Sequence, residues 1–327
     1  MGLGVPNQPM ARESIPTLDL RKYTNGDEES RAAFVNEMGE ALEDIGFFAL
    51  AGHGIPLPDI DDAYAVSETF FNLDESIKMR WNQPSNQRGY VPFGVEHAKS
   101  NPAPDLKEFW QTGRTLPDEH PLKEEYPMNI WPDEDCAEFG PAIDGLYIQM
   151  EALSRTLLEI CSIYLGKGPN WLPDMATDGN TILRVLHYPA LGADVPEGAV
   201  RSAQHEDINF ITLLVGATAG GLEVMDHDGE WIKVAGNHEH IIVDSGDMLQ
   251  NLTNGLFKAV THRVVNPPDA TSDRYSMPLF THPRDDVDLT PRPEFIAKTG
   301  GVANFPSITA GDYLHQRLIE IGLIKDE

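Results

Sequence analysis

Three side chains have the types and spacing to share one metal ion. His205 and Asp207 stand two apart in Gln204-His205-Glu206-Asp207-Ile208-Asn209, and His262 lies in Thr261-His262-Arg263-Val264-Val265. Side chains alternate between faces along a strand, so residues two apart emerge together and His205 and Asp207 can converge. Alone, the pair is as consistent with a solvated His beside a surface carboxylate, and His262 with a core or edge histidine. Together, two imidazoles and one carboxylate on one side of a cation leave the opposite positions open. That arrangement suits a non-haem Fe(II) site that must take an organic ligand and O2. The same donors would also hold Zn2+ and activate water in a hydrolase. Further on, Arg274-Tyr275-Ser276 turns Arg274 and Ser276 to one face. A planar guanidinium with a nearby hydroxyl suits a carboxylate, a task the hydrolase reading does not need.

These residues need strands to hold them, and the pattern supplies strands after residue 178. Short β-rich runs separated by turn signals cover Thr181 to Tyr188, Ile208 to Val215, Gly221 to Met225, Trp231 to Val234, His240 to Val243, Phe257 to Val265 and Tyr275 to Thr281. Asp228-Gly229 and Asn254-Gly255 tolerate the positive φ angles of tight hairpins, and the strands are expected to be mostly antiparallel. Upstream the period is helical. Phe34, Met38, Leu42 and Ile45 recur at helical steps with Gly46 as a stop, then Phe47, Phe48 and Leu50 suggest a short buried strand. Ile60, Ala63, Val66 and Phe70 mark a second helix, and Pro141 through Leu146, Met150, Leu153, Leu157 and Ile160 to Gly166 a third. Thr309 and Asp312 resemble a capping box, followed by the stripe Tyr313, Leu314, Leu318 and Ile321.

The segment 84–131 is expected to be irregular, dense in Pro and aromatic residues and long for a connector, the character of a lid. Its Arg88, Tyr90, Phe93, Trp110 and Arg114 are candidates to touch substrate, and Asn209 joins them because continued alternation from Asp207 aims it at the metal. Each has a plainer reading, since aromatics in such a stretch often glue it to the core and Arg114 has many acids to pair with. The expected division is a tail at 1–14, a mostly helical region 15–177 packed on a barrel, and the β-rich region 178–327 with its C-terminal helix, together one integrated domain.

The 327 residues carry 52 acidic and 24 basic side chains, a formal charge of -28 that repels phosphate backbones and anionic lipid. Neither nucleic acid nor a membrane is an expected partner; a small-molecule substrate is, and the chain is expected to be a monomer or weak homo-oligomer. With only two cysteines, Cys136 and Cys161, there is no disulfide framework and any metal must use His and carboxylates. The opening residues lack a continuous apolar run, so the expected location is cytoplasmic.

The order His-x-Asp, distal His and Arg-x-Ser resembles the isopenicillin N synthase-like family of Fe(II)/2-oxoglutarate-dependent oxygenases. Ile15-Pro16-Thr17-Leu18-Asp19-Leu20 and Gly46-Phe47-Phe48-Ala49-Leu50 extend the likeness toward the N-terminus. The resemblance implies a mixed α and β fold, with a double-stranded β-helix (jelly roll, cupin-like) core and flanking helices. It implies Fe(II) on His205, Asp207 and His262, with 2-oxoglutarate and O2 consumed to oxidise, by hydroxylation, a small molecule and release succinate and CO2. It also implies that Arg274 and Ser276 hold the distal carboxylate of 2-oxoglutarate. Tyr188, in Leu186-His187-Tyr188-Pro189, matches a tyrosine assisting them, although Leu186 stands where many plant relatives carry Asn. Isopenicillin N synthase itself has similar segments and takes no 2-oxoglutarate; on that alternative Arg274 anchors a substrate carboxylate.

Overall fold

The structure, a computed structural model, describes residues 14–95, 105–190, 200–266 and 272–320. Most of the expected tail, and Ile321, lie outside the described residues. Among the described residues the chain forms β1 (Thr17–Asp19), β2 (Phe47–Ala51), β3 (Gly89–Val91), β4 (Glu108–Gly113), β5 (Ile182–Tyr188) and β6 (Ser202–His205). These are followed by β7 (Ile211–Val215), β8 (Leu222–Met225), β9 (Trp231–Lys233), β10 (Ile241–Ser245), β11 (His262–Val264) and β12 (Arg274–Thr281). Eight strands make one sheet in the order β1-β2-β10-β7-β12-β5-β4-β3, and four make a second in the order β6-β11-β8-β9. Every pairing is antiparallel except β1 with β2. The two sheets face each other as a double-stranded β-helix.

Alternation along the large sheet separates two cores. Leu183 and Val185 of β5, Leu213 and Val215 of β7, and Met277 and Leu279 of β12 join a cluster with Phe34, Met38, Phe70, Met150 and Leu157 from the helices Glu28–Asp44, Leu57–Phe71 and Phe139–Tyr164. Residues of opposite parity look into the space between the sheets. There Phe47, Ala49 and Ile242 pack against Val224, Ile232 and Val264. The helices start where chemistry predicts: Asp27 caps the first by accepting from Ser30 N at 2.9 Å, and Thr309 caps Ala310–Glu320 by accepting from Asp312 N at 3.2 Å.

Three expectations need correction. The region 15–177 is less purely helical than its pattern suggests, since β1 to β4 all join the large sheet. Within 84–131, β4 is buried at all six positions, which erases the polar–apolar alternation that would have revealed it. Asn254 and Gly255 do take positive φ, 55° and 80°, but they end the helix Asp247–Leu252, with Gly255 N bonded to Gln250 O at 2.8 Å. The expected strand from Phe257 is therefore confined to His262–Val264. Asp228-Gly229 does join two paired strands, β8 and β9. No helix among the described residues is long and apolar enough to cross a membrane.

Candidate metal centre and adjoining cavity

His205 and His262 are direct partners across β6 and β11, with ring centroids 4.3 Å apart. Each ring places Nδ1 against a carbonyl of its own chain two residues back, Ala203 O at 2.8 Å and Val260 O at 3.1 Å. Donating through Nδ1–H leaves each Nε2 lone pair for a cation. Asp207 Oδ1 lies 3.6 Å from both Nε2 atoms. Donors about 2.1 Å from a shared ion stand no more than roughly 4 Å apart, so these spacings fit one cation. Burial, and then the neighbouring His205, push the His262 imidazole down to about 4, which keeps it neutral at physiological pH.

Asp207 reaches this position differently from the expected alternation. β6 ends at His205, and Asp207 sits in the turn leading to β7. The N-terminus of helix Asp247–Leu252 pins that turn: Asp247 N donates to Asp207 O at 2.8 Å and Met248 N to Asn209 O at 3.2 Å. Gly246 permits the approach, because a Cβ there would stand 2.3 Å from Asn209 Oδ1 and 2.4 Å from Asn209 O. The Thr212 hydroxyl donates to Asp207 Oδ2, and Asn209 Nδ2 donates to Thr212 Oγ1 at 2.8 Å. Burial, and then the charge of Asp207, hold the Asp244 carboxyl well above the usual carboxylate range. With Oδ2 occupied, Oδ1 is left facing the histidines.

Arg274 and Ser276 are almost fully buried. Arg274 Nη1 donates to Ser276 Oγ at 3.1 Å and Nε to Ala219 O at 3.2 Å. Tyr188 is Arg274's partner across β12 and β5, its ring centroid 4.9 Å from the guanidinium. All of these partners are neutral. A buried cation so placed calls for an anion.

Beside His205 and Asp207 opens a cavity of about 280 Å³, walled by Phe109, Gln111, Arg184, Phe280, Leu314 and Leu318. Arg184 lies between the rings of Phe109, at 4.8 Å, and Phe280, at 5.5 Å, and its Nε donates to Gln111 Oε1 at 2.8 Å. His282 also lines the cavity, and burial pushes its imidazole down to about 4.

The six substrate candidates read from the sequence lie elsewhere. Arg88 is buried behind the wall, donating to Asn180 Oδ1 at 3.0 Å and Gln87 O at 2.7 Å. Tyr90 and Trp110 pack around Phe70, Arg114 pairs with Glu151 at 2.9 Å, and Phe93 is 46% exposed. Asn209 is buried behind Asp207 through Thr212. On β4 the error is one of parity, since Phe109 and Gln111 line the cavity while Trp110 faces the helices. Parity would also have found the others: Phe280 and His282 continue from Arg274 and Ser276, and Arg184 continues back from Tyr188.

Two family models match the chain, the non-haem dioxygenase in morphine synthesis N-terminal model over residues 15–134 and the 2OG-Fe(II) oxygenase superfamily model over 179–283. The 2-oxoglutarate-dependent dioxygenase citB of Monascus ruber is 33% identical, the match covering 85% of this chain and 87% of the relative. The chain belongs to the 2-oxoglutarate/Fe(II)-dependent dioxygenases. A 2OG-Fe(II) oxygenase family protein from Caulobacter crescentus has the same fold, with a TM-score of 0.83 at 34% identity over 94% of this chain and 99% of that one. So does a full-length Neurospora crassa protein in complex with alpha-KG and thymine, with a TM-score of 0.81 at 30% identity over 93% of this chain and 96% of that one. The dioxygenase accordingly uses Fe(II), O2 and 2-oxoglutarate. Neither an oxidase working without 2-oxoglutarate nor a zinc hydrolase finds support among these relatives.

Proposed function

We propose that His205, Asp207 and His262 hold the Fe(II) of this dioxygenase, that Arg274, Ser276 and Tyr188 receive the distal carboxylate of 2-oxoglutarate, and that the reaction hydroxylates a compact small molecule. The observation carrying this reading is the convergence of three metal-ligating atoms within 4.8 Å of one another at the wall of a cavity of about 280 Å³.

Bound Fe(II) and 2-oxoglutarate supply O2 activation coupled to decarboxylation, with one oxygen atom going to succinate and the other to a substrate C–H bond. The chain's own residues do the rest. Backbone carbonyls fix the tautomer of both histidines, and the Thr212 hydroxyl fixes the carboxylate between them. Arg274 and Ser276 orient the co-substrate through charge-assisted hydrogen bonds. Phe109, Phe280, Leu314 and Leu318 exclude water and give an apolar wall, in which Arg184, held by Gln111, is the charged element. The thymine bound by the Neurospora protein, a small ring with an apolar methyl and carbonyl acceptors, is a ligand of the size and character this wall would accept.

The test is anaerobic. Adding 2-oxoglutarate to Fe(II)-loaded protein is expected to develop a metal-to-ligand charge-transfer band in the wild type. His262→Ala should not develop it. Labelled CO2 release then reports turnover across a panel of small cyclic and amino-acid substrates. A wild type without the band would overturn the assignment.

A further inference from the structure

We propose that Arg201 is a second guanidinium of the 2-oxoglutarate site, sharing the distal carboxylate with Arg274. The proposal rests on the reading that Arg274 receives that carboxylate.

Arg201 immediately precedes β6, and its side chain is among the largest fully buried ones in the protein. It is tied to the start of β12: Nη2 donates to Ser272 O at 2.9 Å, two residues before Arg274, while its backbone N takes Asn266 Oδ1 at 3.0 Å. Among the described residues its Nε has no partner. Burial, and then the charge of Arg274, lower its pKa. Through Ser272 O its guanidinium is held at the end of β12 that carries Arg274, whose own guanidinium lies over the Tyr188 ring. The acid that Arg201 feels, Asp273, is turned to other work, accepting from Ala190 N at 2.6 Å and lying 3.5 Å from His187 Nε2 with its side chain 40% exposed.

Burying two like charges together is costly, and an unused buried donor adds to the cost. A pure structural tie would need only the side-chain contact to Ser272 O, which any neutral donor could make, since Asn266 is bound by the backbone N. A dianionic co-substrate removes both penalties at once. Its distal carboxylate has two oxygens with about four lone-pair directions, enough for one hydrogen bond each from Arg274, Ser276, Tyr188 and one further guanidinium.

The experiment titrates 2-oxoglutarate, and separately 2-oxobutanoate, into the anaerobic Fe(II)-loaded full chain, reading Kd from the charge-transfer band. 2-Oxobutanoate keeps the chelating 2-oxo acid and lacks the distal carboxylate. Arg201→Gln is expected to weaken 2-oxoglutarate by about 10- to 100-fold, the worth of one charge-assisted hydrogen bond, and to leave 2-oxobutanoate within two-fold of wild type. Equal weakening of both ligands, or unchanged affinity for 2-oxoglutarate, overturns the proposal. Arg201→Lys keeps charge and bulk if the glutamine variant fails to fold. It is expected to weaken 2-oxoglutarate several-fold, and a value within two-fold of wild type overturns the proposal. Arg274→Gln is the separate control: if it leaves 2-oxoglutarate binding intact, the reading of Arg274 fails, whatever Arg201 does.

Discussion

The two faces of the large sheet are made by the same strands and follow different rules. Toward the helices, β5, β7 and β12 present Leu183, Val185, Leu213, Met277 and Leu279, all fully buried among aliphatic and aromatic neighbours. Toward the second sheet, the alternate positions of the same strands are Arg184, Thr212, Arg274 and Ser276. Each outward side chain is worth about 1.5–3 kcal/mol of burial, whereas each inward polar group costs stability unless something pairs with it. One face thus stabilises a framework on which the other can hold polar groups.

The contrast can be broken from either side. Asp207→Ala should have the largest effect, loss of Fe(II) uptake by calorimetry and of O2 consumption, with unfolding of the metal-free protein little changed. Leu213→Ala on the opposite face should cost about 2–5 kcal/mol in urea unfolding and leave the 2-oxoglutarate Kd within two-fold. If it shifts binding as much as stability, the faces are not independent. Arg274→Lys should raise the 2-oxoglutarate Kd by about 10- to 100-fold, because an ammonium cannot reproduce the paired geometry, with the melting temperature unchanged. Thr212→Val removes the hydroxyl that orients Asp207 and should weaken metal binding by about 10-fold.

The smallest effect is a slope. His282 is held down at about 4 by burial, whereas in the unfolded chain it titrates near about 6.5. Between those values the unfolded chain binds the extra proton. Its contribution to stability is therefore complete above about pH 6.5 and is lost as pH falls toward 4. Asp247, which burial raises to about 8, contributes the opposite slope. Comparing wild type with His282→Gln by urea unfolding at pH 5 and pH 7 cancels that opposing term, and the variant should show the shallower loss on acidification.

The sequence exposed the triad because three ligand types in a fixed order, with Arg-x-Ser behind them, are few enough to stand out. The antiparallel strands of the C-terminal half were visible where one face is polar. β4 was not, since a strand covered on both sides has no contrast to show. The cavity wall failed for a related reason: Trp110 and Tyr90 are conspicuous as residues, but a side chain's direction depends on strand register, which composition does not carry. Arg201 carries no such signal, since nothing in its sequence neighbours announces burial; what marks it is an Nε without a partner among the described residues. Helix Asp247–Leu252, which pins the Asp207 turn, is too short to leave a periodic trace.

Leu314 and Leu318, on the helix Ala310–Glu320, close one side of the cavity, whereas the proposed iron ligands and carboxylate anchor all lie on earlier segments. Part of the cavity wall is thereby supplied by a stretch of chain that carries none of the proposed ligands. Exchanging those two leucines for other sizes offers a way to retune what the enzyme accepts while its appetite for 2-oxoglutarate stays the same.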